Sequence, residues 1–115
     1  GYFQSFAPTG HAGELETSLV MATRLDLVHL DRARIESGED LDRLESLKNQ
    51  TSGFWWYASF PNHYHGDGSF GDSELGELTL EHQSDLLARL IRDFKQSQVL
   101  EELQREFFER IQNPR

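Results

Sequence analysis

The second half of the chain, residues 73–112, reads as helix bearing a wide apolar stripe. Leu75, Leu78, Leu86, Leu87, Leu90, Ile91 and Phe94 recur with the 3.6-residue period of a buried helix face. Ser73 is the expected N-cap, with Glu74 and Glu77 in the first turn where carboxylates suit the helix dipole. A second amphipathic stretch uses Val99, Leu100, Leu103, Phe107 and Ile111, separated from the first around Gln96-Ser97. Its other face, Glu101, Glu102, Arg105, Glu106, Glu109 and Arg110, is expected to be solvated and laced by i,i+4 pairs. Such stripes must be buried against something. The chain offers little: Leu27, Val28 and Leu30, which fit a short strand or more helix, and an aromatic block, Gly53 to Pro61, read as extended. The expectation is that another polypeptide supplies a sheet.

Composition narrows the function. With 115 residues the chain has room for one domain and a modest core, and only 37% of it is hydrophobic. Twenty acidic against 11 basic residues give a net charge of -9, which repels phosphate backbones and argues against nucleic acid. No apolar run approaches the ~20 residues of a membrane span. No signal peptide is visible, and the absence of Cys removes disulfides and thiolate metal sites. Both fit a cytoplasmic protein. The start at Gly1 points to a cut inside a longer precursor or to a split protein, and Gln112 to Arg115 reads as a polar stop after a helix.

In the first half, residues 1–13 read as an extended lead-in and Glu14 to Arg24 as a short helix. Residues 36–52 are polar, with a thin stripe of Leu41, Leu44 and Leu47 that suits a surface turn or loop. Asn62 to Asp72 form a Gly-rich loop.

Two clusters can carry chemistry. In Gly10-His11-Ala12-Gly13-Glu14-Leu15-Glu16-Thr17-Ser18, a His lies between small residues and two carboxylates follow. Gly10 and Gly13 permit close approach of backbone or substrate. Glu16 in a first helical turn has its ionised form favoured. An imidazole and a carboxylate at a loop-to-helix junction suit a divalent cation with a proton shuttle. Equally, Glu14 and Glu16 can be plain acidic residues at a helix start. The second cluster is His63, Tyr64 and His65 with Asp67, following Trp55, Trp56 and Tyr57. These side chains can line a pocket for a small polar molecule. His63-x-His65 has no third ligand nearby. In an extended segment Trp55 and Trp56 face opposite ways, so one of them packs in the core or an interface. Gly66-x-Gly68-x-x-Gly71 matches a dinucleotide fingerprint only by letter, since no βαβ context surrounds it. His29 and His82 read as structural or exposed.

Residues 10–19 closely resemble the His-Ala-Gly-Glu-Phe-Glu-Thr-Ser signature of the creatininase (creatinine amidohydrolase) family. Arg24-Leu25-Asp26-Leu27-Val28 and Asp31-Arg32-Ala33 are similar to the family's next segments. So are Trp56-Tyr57 with Pro61-Asn62-His63-Tyr64 and Gly66-Asp67, and Ser73-Glu74-Leu75-Gly76-Glu77, where Leu75 replaces the usual Lys. The similarity is colinear over residues 10–95 and covers only the family's C-terminal half.

The resemblance implies an α/β fold: residues 1–115 would be the C-terminal segment of a single three-layer α/β/α domain, mostly helical here, whose main sheet lies in a partner chain. It implies a metal-dependent hydrolase with a binuclear zinc, manganese or iron centre. His11 would be the catalytic acid/base and Glu16 a metal ligand or the carboxylate beside the metals. Trp55, Trp56, Tyr57, His63, Tyr64 and His65 would shape the substrate pocket. The family's N-terminal Glu-x-His, bridging Asp and Asn-Gly-His segments are not found in this sequence, so most metal ligands are expected from an N-terminal partner chain of the same precursor or operon. A hexamer of heterodimers is the implied assembly. Three functions follow: opening a small cyclic amide at its C–N bond, opening an inositol-derived ring diketone (a dehydro-inosose) at a C–C bond, or a non-catalytic regulatory subunit.

Overall fold

The computed structural model describes residues 2–48 and 50–114. Gly1 and Arg115, on which the expectations about the chain start and the polar stop rest, lie outside them. The chain divides into two compact units, Gly1–Leu80 and Glu81–Arg115. The described residues form four α-helices: α1 (Glu14–Arg24), α2 (Gly53–Ser59), α3 (Ser73–Gln96) and α4 (Val99–Gln112). Short 3₁₀ turns lie at Leu25–Leu27, Glu45–Leu47 and Gly68–Phe70. Among the described residues there is no strand, only an isolated antiparallel bridge between Gly38 and Gly66. Val28 follows the first 3₁₀ turn in extended conformation, so the Leu27–Leu30 segment neither pairs as a strand nor continues α1. Among the described residues no helix is long and apolar enough to cross a membrane.

α1 has the bounds expected of it, and its first turn is anchored from outside the helix. The Gly13 N-cap has no side chain to satisfy the free amides. Pro8 takes over part of that task, its carbonyl accepting from Leu15 N at 2.9 Å. Glu14 turns inward, 1% exposed, and its carboxylate accepts from the backbone amides of Gln4 (2.8 and 3.0 Å) and Ser5 (2.7 Å). A buried carboxylate is tolerable only when hydrogen-bonded in this way. One turn on, fully buried Ser18 donates to Glu14 O at 2.6 Å and accepts from Asp72 N at 2.9 Å. That hydroxyl ties α1 to the approach of α3.

The aromatic block is a helix rather than extended chain. Ser52 caps it, its Oγ accepting from Trp55 N at 3.2 Å. Arg43 closes the other end by donating to the Tyr57 and Ala58 carbonyls at 2.9 and 2.6 Å. Helical winding removes the alternation of an extended segment, so both tryptophans reach Phe60. Its ring centroid is 6.0 Å from Trp55 and 4.9 Å from Trp56. Phe60 is the one buried large apolar side chain among the described residues.

α3 begins at Ser73, but the cap is the preceding residue. Asp72 Oδ1 accepts from Glu74 N at 2.7 Å and Leu75 N at 3.3 Å. The stripe expected to be buried is exposed in this chain at Leu78, Leu86, Leu87, Leu90, Ile91 and Phe94, while Leu75 is half-buried. In the second unit α4 exposes Val99, Leu100, Leu103, Phe107, Phe108 and Ile111 as well, and the two helices of that unit do not pack along each other. The polar face of α4 holds the expected i,i+4 pair, Arg110 to Glu106 at 2.6 Å.

Within the first unit, Gly76 lets α3 lie on α1. A Cβ at that position would collide with the Ser18 carbonyl and approach Ala22 Cβ to 2.9 Å. Gly76→Ala therefore sets a helix-propensity gain of about 1 kcal/mol against an overpacking cost of about 1–3 kcal/mol. We expect net destabilisation, read as a lower urea midpoint by far-UV circular dichroism. A raised midpoint would show that α3 does not seat on α1 there.

Candidate functional site

The two loops that carry the imidazoles are joined through their backbones. His65 N donates to the carbonyl of His11 at 2.9 Å, and Gly66 N donates to Gly38 O at 2.9 Å. Gly10 lies so close beneath this junction that a Cβ there would meet the His65 carbonyl. The His11 loop and the His63–His65 loop thus share one backbone contact, and their side chains converge above it.

His11 sits just before α1 with its Nδ1 3.6 Å from Glu16 Oε2. The same oxygen accepts from Ala12 N at 2.8 Å, which turns the Glu16 carboxylate back over the loop. Ala12 has a φ of 57°, a left-handed conformation uncommon for a residue with a Cβ. Both side chains are about half exposed, 54% for His11 and 51% for Glu16. They present free nitrogen and oxygen atoms to solvent or to a ligand.

Trp56 and His63 form the next wall. Trp56 Nε1 donates to His63 Nδ1 at 3.1 Å. The His11 ring meets both edge-on, with centroids 6.3 Å from Trp56 and 5.8 Å from His63. His63 also has a left-handed backbone, with a φ of 56°. Two non-glycine residues in that region, on the two facing loops, mark a place where the fold over-determines local geometry.

The remaining residues singled out by sequence fall in other places. Tyr64 accepts from Gly68 N through its hydroxyl at 2.7 Å and faces a separate cleft of about 610 Å³ beside Glu16 and Thr17. Asn62 borders that cleft and donates to Glu36. The His65 ring lies tilted on Phe60 at 4.3 Å and meets Trp56 edge-on at 5.9 Å. Trp55 contacts Trp56 and Phe60, and Tyr57 is exposed beneath the Arg43 guanidinium. The structure therefore groups His11, Glu16, Trp56 and His63, with His65 also against Trp56, while Tyr64 lines the separate cleft that Glu16 borders. The sequence marks Glu14 as a carboxylate of the cluster but not as a buried anchor, because its partners are backbone amides, which leave no trace in the order of residue types.

For a metal ion this chain offers His11 and Glu16, and no group of three His, Asp or Glu able to hold one occurs among the described residues. A full centre does not fit these side chains alone. Glu16, with one carboxylate oxygen outside its bond to Ala12 N, fits a single corner of one.

The family model described as creatinine amidohydrolase matches residues 2–91. That span contains both loops, α1, α2 and most of α3. Neither the curated proteins nor the solved structures contain a match.

The backbone junction sets a clear expectation for Gly10→Ala. The added methyl forces the His11 loop away from His65, at an overpacking cost of about 1–3 kcal/mol. The Trp56 emission should shift as its contacts with His11 and His63 loosen. Unchanged stability and fluorescence would show that the two loops are not held together at this point.

Proposed function

From the chain's membership of the creatininase family, we propose that it is the C-terminal part of a metal-dependent hydrolase that opens a small cyclic amide at its C–N bond. The observation that carries the reading is the His11–Glu16 pair at the mouth of α1, 3.6 Å apart and half exposed. The exposed apolar faces of α3 and α4 support a second element of the proposal. In it, an N-terminal partner chain of the same precursor or operon supplies the sheet of a three-layer α/β/α domain and most metal ligands, within a hexamer of heterodimers in the cytoplasm.

In this reading His11 moves the proton. Ring opening adds water across the amide: a C–O bond forms, the C–N bond breaks and the ring nitrogen takes up a proton. An imidazole, which can both accept and donate a proton, suits both halves of that transfer. Glu16 orients His11 by its charge and provides one ligand oxygen. Trp56 gives the ring of the substrate a flat apolar wall. A divalent cation bound at such a site polarises a carbonyl oxygen and acidifies water.

The test uses the assembled enzyme. His11→Ala should leave assembly intact and lower turnover of a creatinine-like lactam by about 10²–10⁴-fold. Turnover like that of the unmodified enzyme removes His11 from the mechanism. Activity on an inositol-derived diketone instead of the lactam replaces the C–N reading with the C–C one. No activity on either, with no divalent metal in the complex, leaves a regulatory subunit.

A further inference from the structure

In a neutral imidazole one nitrogen donates and the other accepts, and the bond made by one nitrogen fixes the role of the other. Trp56 Nε1 can only donate. It lies 3.1 Å from His63 Nδ1, so that nitrogen is an acceptor and the ring proton of His63 sits on Nε2. His11 is held the opposite way. Its Nδ1 faces Glu16 Oε2 at 3.6 Å. That distance is too long for a hydrogen bond. A lone pair turned toward a carboxylate is nevertheless repelled, which favours the proton on Nδ1 and leaves the lone pair on Nε2. The two rings are 5.8 Å apart at 72°.

His63 is also held where it is at a conformational cost. Its φ of 56° suits Gly or Asn better than His. The position is fixed by the Trp56 bond and by His63 N donating to Phe60 O at 3.0 Å. The chain keeps an imidazole at a place in the backbone where a smaller residue would be easier.

We propose that His63 is a substrate-contacting donor, locked by Trp56 in the tautomer opposite to that of His11, so that the site presents one N–H and one basic nitrogen to the same ligand. The assignment rests on the hydrolytic reading above and deepens it. The complementary ligand is the edge of a ring amide. The carbonyl oxygen accepts from His63 Nε2–H, where negative charge builds up as water adds. His11 Nε2 takes the proton of the attacking water and delivers it to the departing ring nitrogen, so that one water is consumed and no other co-reactant is needed. A ring diketone offers two acceptors and no nitrogen to receive that proton.

Two measurements test the assignment. The first is nitrogen NMR of the histidine rings in the labelled full chain. We expect His63 to carry its proton on Nε2 and His11 on Nδ1, and Trp56→Phe to release His63 into a tautomer mixture without altering His11. Finding both rings in the same tautomer, or His63 unaffected by Trp56→Phe, overturns the proposal. The second is turnover of creatinine by the assembled enzyme. His63→Gly suits the left-handed backbone while removing the donor, and should lower kcat/KM by about 100-fold. His63→Asn also suits that backbone and restores an N–H donor, so it should recover most of the loss. Turnover unchanged in His63→Gly, or no creatinine-dependent change at His63 in the spectra of an active assembly, overturns the proposal. An unmodified assembly inert toward creatinine counts against the hydrolytic reading for that substrate, while the tautomer spectra still decide the lock.

Discussion

Backbone packed directly on backbone is what the rest of this structure depends on. With Phe60 the one large apolar side chain buried among the described residues, side-chain burial is not the main source of order in the first unit. Elements instead meet where side chains are absent: Gly10 under the His65 carbonyl, Gly38 against Gly66, and Gly76 against Ser18. Hydrogen bonds from His65 N to His11 O and from Asp72 N to Ser18 Oγ run through the first and third of these approaches. Close-packed backbone is stiff, because polar groups lodged there are costly to leave unpaired. It therefore places His11 and His63 with more precision than two Gly-rich loops would have alone.

The start of α1 divides labour between two carboxylates. Each helical residue turns about 100°, so Glu14 and Glu16 point to nearly opposite faces. Glu14 faces inward and clamps the amides of Gln4 and Ser5, fixing the lead-in segment. Glu16 faces outward beside His11. Both benefit from the positive end of the helix dipole, but one serves the fold and the other serves the site. The same segment thus couples the anchoring of the chain to the positioning of the candidate proton shuttle.

Much of this was legible in the sequence where local pattern decides structure. The bounds of α1 and the break at Gln96–Ser97 follow from periodicity, and the match to residues 2–91 agrees with the resemblance read from residues 10–19 onward. The aromatic block is a helix although its four adjacent aromatics, Phe54 to Tyr57, look like strand. Its helix is decided by the Ser52 cap and the Arg43 clamp on its last carbonyls, the second of which is a tertiary contact. The α3 cap moved from Ser73 to Asp72, a carboxylate one residue earlier that reaches two amides. Amphipathicity located the apolar stripe of α3 but could not say what covers it, and in this chain it is exposed. In the site, the His11–Glu16 pair is visible as a motif. The Trp56–His63 bond is not, since it requires α2 to be helical and the next loop to fold back on it.

In the proposed reading the chain brings proton-handling groups and an aromatic wall to a hydrolytic site, while among the described residues no group of three His, Asp or Glu able to hold a metal occurs. The most direct test of that account is the divalent metal content of the purified full chain, measured by elemental mass spectrometry after dialysis, alone and in the assembly with its partner chain. The account predicts less than stoichiometric metal on the chain alone and stoichiometric metal in the assembly. Tight, stoichiometric metal on the chain alone, or an active assembly free of divalent metal, would contradict it.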